Sequence, residues 1–320
     1  MDLVKRRYWF FFLSLLVILP GLISLMIPPS LKLGIDFTSG STLNVVLTGP
    51  ADVSDIQSQL NNLGHFDVVI QRVNERSFFI RTGTLKDAVL DGEGQEIEPS
   101  ERARIRSAIE ANVAPIESIE SASVSPLVAQ DTVRNAIIAV VVAAIFILMY
   151  ITWAFRNVPK PFRYGTAAII ALVHDVLIVL GIFSILGKVI NMEVNSMFII
   201  GILTVIGFSV HDTIVVFDRI RENVALATER TLEATINTSL VESLGRSINT
   251  GLTLLFTVIA LLLIGGPTIQ GLLLVFLVGV TVGTYSSICI AAQLLIVWEN
   301  RDVGRLFRFL LARRSPPVKK

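Results

Sequence analysis

Ionisable side chains are scarce in the apolar stretches of this chain, so each one found there invites a chemical reading. His174 and Asp175 are adjacent in the middle of one apolar run, and His211 and Asp212 are adjacent near the end of the next. Arg246 opens a later run and is followed by Asn249, Thr250, Thr253 and Thr257. An ionisable group at the centre of a membrane helix costs about 2.5–3.5 kcal/mol on insertion scales, so each needs a partner or a purpose. Arg246, Thr250, Thr253 and Thr257 fall at i, i+4, i+7 and i+11, which gives one helix face a polar stripe. Gly201, Thr204, Phe208, Ser209 and Asp212 share an arc of the preceding helix. Two consecutive helices of opposite direction bring Asp212 and Arg246 to similar depth. A carboxylate beside a guanidinium at that depth is a proton-accepting site. The competing reading is static ion pairing or hydrogen-bonded glue between helices. That structural role is favoured for His174 and Asp175, and proton coupling for Asp212 with Arg246, Thr250 and Thr253.

The elements that must position these groups are membrane spans. The chain has 320 residues, 52% of them apolar and only 17% charged, with mean hydropathy +0.69. A bilayer core needs about 20 apolar residues per helix. Six stretches qualify: Tyr8–Ile27, Val133–Trp153, Tyr164–Leu186, Ser196–Phe217, Ile248–Ile264 and Gly271–Trp298. The first reads as an uncleaved anchor, because its apolar run is too long for a signal peptide and Met26-Ile27-Pro28-Pro29 is a poor cleavage site. Lys5, Arg6 and Arg7 precede span one, Arg156, Lys160 and Arg163 lie between spans two and three, and Arg219, Arg221 and Arg230 between spans four and five. Seven more basic residues, Arg301 to Lys320, follow span six, whereas the opposite short turns carry only Lys188. The positive-inside rule therefore puts both termini in the cytoplasm and the long segment after span one outside. The basic tail, residues 301–320, serves chiefly as that anchor, with contact to anionic lipid or a ribosome as the alternative. A net charge of +1 gives no argument for nucleic acid.

Between spans one and two, residues 29–130 read as a water-exposed α+β domain. Residues 41–48 alternate like a strand and end at Gly49-Pro50. Val53–Leu63 reads as an amphipathic helix capped by Asp52 or Ser54, with Ile56, Leu60 and Leu63 inward. Phe66–Val73 and Ser77–Thr82 are strand-like and joined through Asn74-Glu75. After the polar Asp91-Gly92-Glu93-Gly94 comes a helix over Ser100–Asn112 with Ile105 and Ile109 inward, then a strand over Ile116–Val124. The order βαββαβ is that of a ferredoxin-like unit. The domain carries no nucleophile–base pair or metal-ligand cluster, and His65 is alone in a turn. Cys289 lies in an apolar run with no base beside it, so neither a disulfide nor a catalytic thiol is indicated. Nothing here reads as an enzyme or as needing a cofactor.

Longer motifs add a resemblance. Span four and its end read Val205-Ile-Gly-Phe-Ser-Val-His-Asp-Thr-Ile-Val-Val-Phe-Asp-Arg-Ile-Arg-Glu-Asn223, which resembles the hallmark of the SecF family, the smaller half of the bacterial SecDF translocation motor. It is also similar to the Val-Asp-Asp…Glu-Asn signature of RND transporters. Gly34-Ile-Asp-Phe-Thr-Ser-Gly40, Val124-Ser-Pro126, Ala171-Leu-Val-His-Asp-Val176, Ser243-Leu-Gly-Arg-Ser-Ile-Asn-Thr250 and Gly265-Gly-Pro267 agree in order. The resemblance runs from about Gly34 to Cys289. It implies a multi-pass protein of the bacterial cytoplasmic membrane with a periplasmic domain, powered by a proton gradient without cofactor or metal. It further implies a SecD-like six-helix partner, the SecYEG channel, YajC and an unfolded translocating polypeptide as partners. Asp212 matches the family's functional intramembrane aspartate and Arg246 its functional arginine. Asp36, with Gly34 and Gly40, and Asp218, Arg219, Arg221, Glu222 and Asn223 match its motifs. His211 departs from the family's usual asparagine. It either hydrogen-bonds as the amide would, which is favoured, or adds a titrating group.

Three rivals compete with this reading. An RND-type exporter of lipid or hydrophobic solute would need larger outer modules than one small domain. An intramembrane aspartyl protease could use Asp175 and Asp212 as a proton-sharing dyad, but the Gly-x-Gly-Asp pattern is absent. A passive assembly subunit would leave the polar groups without proton work.

Overall fold

The computed structural model describes residues 2–90, 96–226 and 231–300. It divides into two compact units. One comprises Leu33–Ile138 with Glu193–Ser196, and the other the residues up to Lys32, Ala139–Met192 and those from Met197.

The first unit is built on strands β1 (Gly40–Leu47), β2 (Val69–Arg72), β3 (Ser77–Thr82), β4 (Val89–Leu90), β5 (Glu96–Glu98) and β6 (Ile116–Val124), with helices α1 (Val53–Asn62) and α2 (Glu101–Asn112). Four strands form one antiparallel sheet in the order β2-β3-β1-β6. The period-2 alternation of β1 and β3 turns Leu43, Val45, Leu47, Phe78 and Ile80 to one face. Helical spacing in α1 and α2 turns Ile56, Leu60, Ile105 and Ile109 onto it. All nine are essentially fully buried, each contributing about 1.5–3 kcal/mol of apolar burial. Opposite residues fix the register, Leu43 facing Ile80 and Val45 facing Phe78. Ser100 caps α2 by accepting from Ala103 N (3.2 Å). Asn74 closes the β2–β3 hairpin by accepting from Arg76 N and Ser77 N at 2.9 and 2.8 Å.

Several sequence expectations shift here. Leu63, expected inward, is the C-terminal cap of α1 and is exposed, the helix itself ending at Asn62. Asp52 occupies the N-cap position of α1 without a side-chain cap bond. The strand expected from Phe66 begins at Val69, with Phe66 exposed. A short extra pair, β4 with β5, flanks the polar stretch; residues 91–95 lie outside the described residues, as do Arg230 and the basic tail.

The Gly34–Gly40 motif ties the base of this unit. Asp36 Oδ2 accepts from Ser196 N (2.7 Å), and Gly34 N donates to Val194 O (2.7 Å). Arg81 bridges Glu193 (3.0 Å), Thr38 Oγ1 (2.8 Å) and Leu33 O (2.9 Å). Gly40 sits at φ +125°, and a Cβ there would stand 2.7 Å from Thr82 O, so the strand can start only with glycine.

Among the described residues, six helices are long and apolar enough to cross a membrane: span one Val4–Met26, span two Pro126–Ala154, span three Phe162–Val189, span four Ser196–Leu226, span five Leu232–Ile264 and span six Ile269–Glu299. Span five starts sixteen residues before the apolar run suggested, at Leu232 rather than Ile248. Its first half packs one face: Thr235, Ile236, Ser239, Leu240, Ser243 and Ser247 are buried at helical spacing, and because most of them are hydroxyl residues a hydropathy reading does not register that face. Arg246 is therefore in the middle of a helix and does not open it.

Candidate functional site

Spans four and six run side by side in the second unit, and small residues let them touch. A Cβ on Gly279 would lie 2.3 Å from Val205 Cγ2, and one on Gly283 would lie 3.1 Å from Ser209 Cβ. Gly201 meets Val275 in the same way, so the pairs 201/275, 205/279 and 209/283 step together one turn at a time. Gly279 and Gly283, four residues apart on one face of span six, are thus close-packing positions. Ser287, the next in that series, does something further.

At this contact two buried carboxylates are held by hydroxyls. Asp175 of span three, 2% exposed, accepts at Oδ2 from Ser209 Oγ (2.5 Å) and Ser286 Oγ (2.7 Å), and its Oδ1 lies 2.8 Å from His174 Nδ1. Asp212 of span four, 4% exposed, accepts a short hydrogen bond from Ser287 Oγ. Consecutive serines of span six thus engage aspartates of two different helices. Ser287 opens a five-residue π-turn, Ser287–Ala291, between the α-helical halves of span six. Such turns widen a helix by one residue and re-aim side chains, often at functional sites.

Each serine has a second acceptor. Ser286 Oγ is 3.2 Å from Gly283 O, and Ser287 Oγ is 3.1 Å from Thr284 O. A hydroxyl has one hydrogen and two lone pairs. It donates to a charged carboxylate, and when that carboxyl is protonated it accepts from it and donates to the backbone instead. Both protonation states of Asp212 are satisfied, which a static glue contact does not require.

The expected pairing of Asp212 with Arg246 is absent among the described residues. Arg246 is exposed, as are Asn249, Thr250 and Thr253. The threonines fall back on their own helix: Thr250 donates to Arg246 O (2.9 Å), Thr253 to Asn249 O (2.6 Å) and Thr257 to Thr253 O (3.2 Å). The polar stripe of span five exists, but it is exposed and makes no bond to Asp212 among the described residues, while the helix packs through residues such as Ser239, Ser243 and Ser247. His211 is exposed too, although it is the immediate neighbour of the buried Asp212. Asp175 and Asp212 share no hydrogen bond with one another, since each is separately engaged.

The Asp218–Asn223 motif joins the ends of spans four and five. Arg219 Nε donates to Glu242 (2.7 Å) and its Nη1 to Glu222 (2.6 Å); Asn223 donates to Glu242 (2.8 Å) and Ser239 (3.0 Å); Arg221 pairs with Asp218 (2.5 Å). Sequence reasoning missed Glu242 and Ser286. The i+4 spacing of Ser239, Ser243 and Ser247 was the available signal for a helix beginning ahead of Arg246.

A multi-span membrane protein with carboxylates buried between helices, and with an α+β unit carried between its first two spans, is the class that fold and site define. Residues 105–301 match the family described as protein export membrane protein SecD/SecF, C-terminal. The chain is 43% identical over 313 residues to the protein translocase subunit SecF of Thermobaculum terrenum, covering 96% of each, and 38% identical to that of Anaerolinea thermophila over 96% of this chain and 97% of the relative. The crystal structure of SecDF, a translocon-associated membrane protein from Thermus thermophilus, superposes with TM-score 0.77 at 29% identity. That match covers 94% of this chain and 39% of the longer SecDF chain. The chain belongs to the SecF family.

Proposed function

We infer that this chain is a SecF-like subunit of the protein translocase, acting in a proton-driven SecDF-type motor that assists Sec-dependent export. The observation that carries the motor role is Asp212, buried midway along span four with a serine that can hydrogen-bond it both charged and neutral. No resident cofactor is required, because the proton gradient supplies the energy. The SecD-like partner is a second six-helix set; the protein translocase subunit SecDF of Bacillus subtilis is a longer chain, of which this one covers 39%. Span five's open face, with Arg246, Asn249 and Thr253, suits that partner. SecYEG, YajC and an unfolded chain in transit complete the assembly.

The protein resides in the bacterial cytoplasmic membrane with both termini cytoplasmic. The βαββαβ unit, whose sheet order β2-β3-β1-β6 supports the ferredoxin-like reading, is extracytoplasmic and handles the emerging polypeptide. Asp212→Asn keeps size and hydrogen bonding but removes the titrating group. It is expected to abolish gradient-dependent stimulation of precursor export into inverted vesicles, while co-purification with the partner persists. Wild-type stimulation in an assembled Asp212→Asn complex would sink the motor role and leave a passive subunit.

A further inference from the structure

Asp212 does not exhaust the buried titratable groups of the bundle. We propose that His174 and Asp175 form a second proton-holding site, loaded at His174 Nε2 and linked to Asp212 through the consecutive residues Ser286 and Ser287. The link to Asp212 rests on the proton-holding role given to it above; the site itself stands on its own geometry.

Asp175 has three potential donors around it: Ser209, Ser286 and His174 Nδ1. When His174 Nδ1 donates to Asp175 Oδ1, the imidazole hydrogen sits on Nδ1 and Nε2 keeps a bare lone pair. His174 is 8% exposed, and its Nε2 is buried without a hydrogen-bond partner. Leaving a buried polar atom unpaired costs about 1–3 kcal/mol. A histidine serving only to hold helices together would spend both nitrogens on partners.

The proton bookkeeping closes. A proton adds to Nε2, the Nδ1 hydrogen moves along the 2.8 Å bond to Asp175 Oδ1, and the pair passes from net −1 to neutral. The imidazole ends neutral in its other tautomer, so no isolated charge is left in the apolar interior. Release reverses the two transfers. As Asp175 loses its charge, Ser286 has Gly283 O as its alternative acceptor. Because Ser287 is the next residue, a change at Ser286 is felt at Asp212.

The groups facing the pair come from three helices. Span six lays the Tyr285 ring against His174, with centroids 6.4 Å apart. Span one receives the Tyr285 hydroxyl at Phe10 O (2.8 Å) and offers Ser14 Oγ to it (3.3 Å). Span four presents Ser209 and, through Ser287, Asp212. The remaining ionisable groups near this depth, His211 and Arg246, are exposed on outer faces. A groove of about 390 Å³, bordered by Asp2, Arg6, Phe10, Thr284, Tyr285 and Cys289, reaches Tyr285 from the N-terminal end of span one.

The test is infrared difference spectroscopy between low and high pH on the complete complex in membranes, reading the carboxylic-acid carbonyl and imidazole bands. Two carboxyl bands are expected in the wild type. Asp212→Asn removes one; Asp175→Asn removes the other together with the imidazole band; His174→Gln removes the imidazole band and displaces the Asp175 signal. Spectra of Asp175→Asn and His174→Gln that superimpose on the wild type would overturn the proposal. Should Asp175→Asn fail to assemble, Ser286→Ala keeps both titrating groups and is expected to move the Asp175 band, and an unmoved band overturns the proposal equally. Persistence of the Asp175 band in an Asp212→Asn complex that still couples export to the gradient would overturn the role of Asp212 and its link, leaving the second site intact.

Discussion

The seam between spans four and six and the outer face of span five carry similar polar residues, and they treat them in opposite ways. At the seam the helices approach closely enough at Gly279 and Gly283 that every carboxylate is met by a hydroxyl from another helix. On span five, Thr250, Thr253 and Thr257 bond only to their own backbone, and Arg246 stands exposed. A guanidinium has five donors and is costly to leave bare in a bilayer. The seam is a site complete within one chain. Span five's face leaves these side chains without a bond to another helix among the described residues, which suits the second six-helix set proposed as partner.

This contrast can be broken from either side. The largest effect is expected from Gly279→Leu, since even a Cβ there would come within 2.3 Å of Val205 Cγ2. Spans four and six would be forced apart, with a loss of about 1–3 kcal/mol or more from overpacking. A thermal scan of the purified chain should show a clearly lowered midpoint and loss of export stimulation; an unchanged midpoint would mean the seam is loose. Arg246→Ala should abolish gradient-dependent export as well, but leave the isolated chain's stability within about 0.5 kcal/mol, because the side chain is exposed there. Arg246→Lys should recover part of the activity, as charge returns without the planar fork. Destabilisation of the isolated chain by Arg246→Ala would place the arginine inside the chain's own structure. The smallest effect is expected from Thr253→Val, which removes a hydroxyl already satisfied by Asn249 O. A modest fall in export rate is anticipated, and a complete loss would assign Thr253 a direct part in proton transfer.

Much of this architecture is legible in the residues themselves. Strand alternation at Leu43, Val45, Phe78 and Ile80, and helical spacing at Ile56, Leu60, Ile105 and Ile109, identify the core of the α+β unit, because burial on one face leaves a period in the sequence. Span five shows the limit. Its first half has low hydropathy, so the helix starts well before the apolar run does. Depth along a helix is also legible, which is why Asp212 and Arg246 look like partners.

Azimuth is different. Which way a helix face points depends on how its neighbours pack, and no local pattern encodes that. The sequence alone established six spans, the composition of the domain between the first two, and the identity of the ionisable residues that need a purpose. Only the tertiary structure decided that Asp212 meets Ser287 while Arg246 looks outward, and that Asp175 is bonded from spans four and six as well as by its own neighbour. The reason is physical: rise per residue is fixed by the backbone, whereas helix rotation is set by side-chain contacts such as Gly279 with Val205, made by residues far apart in the chain.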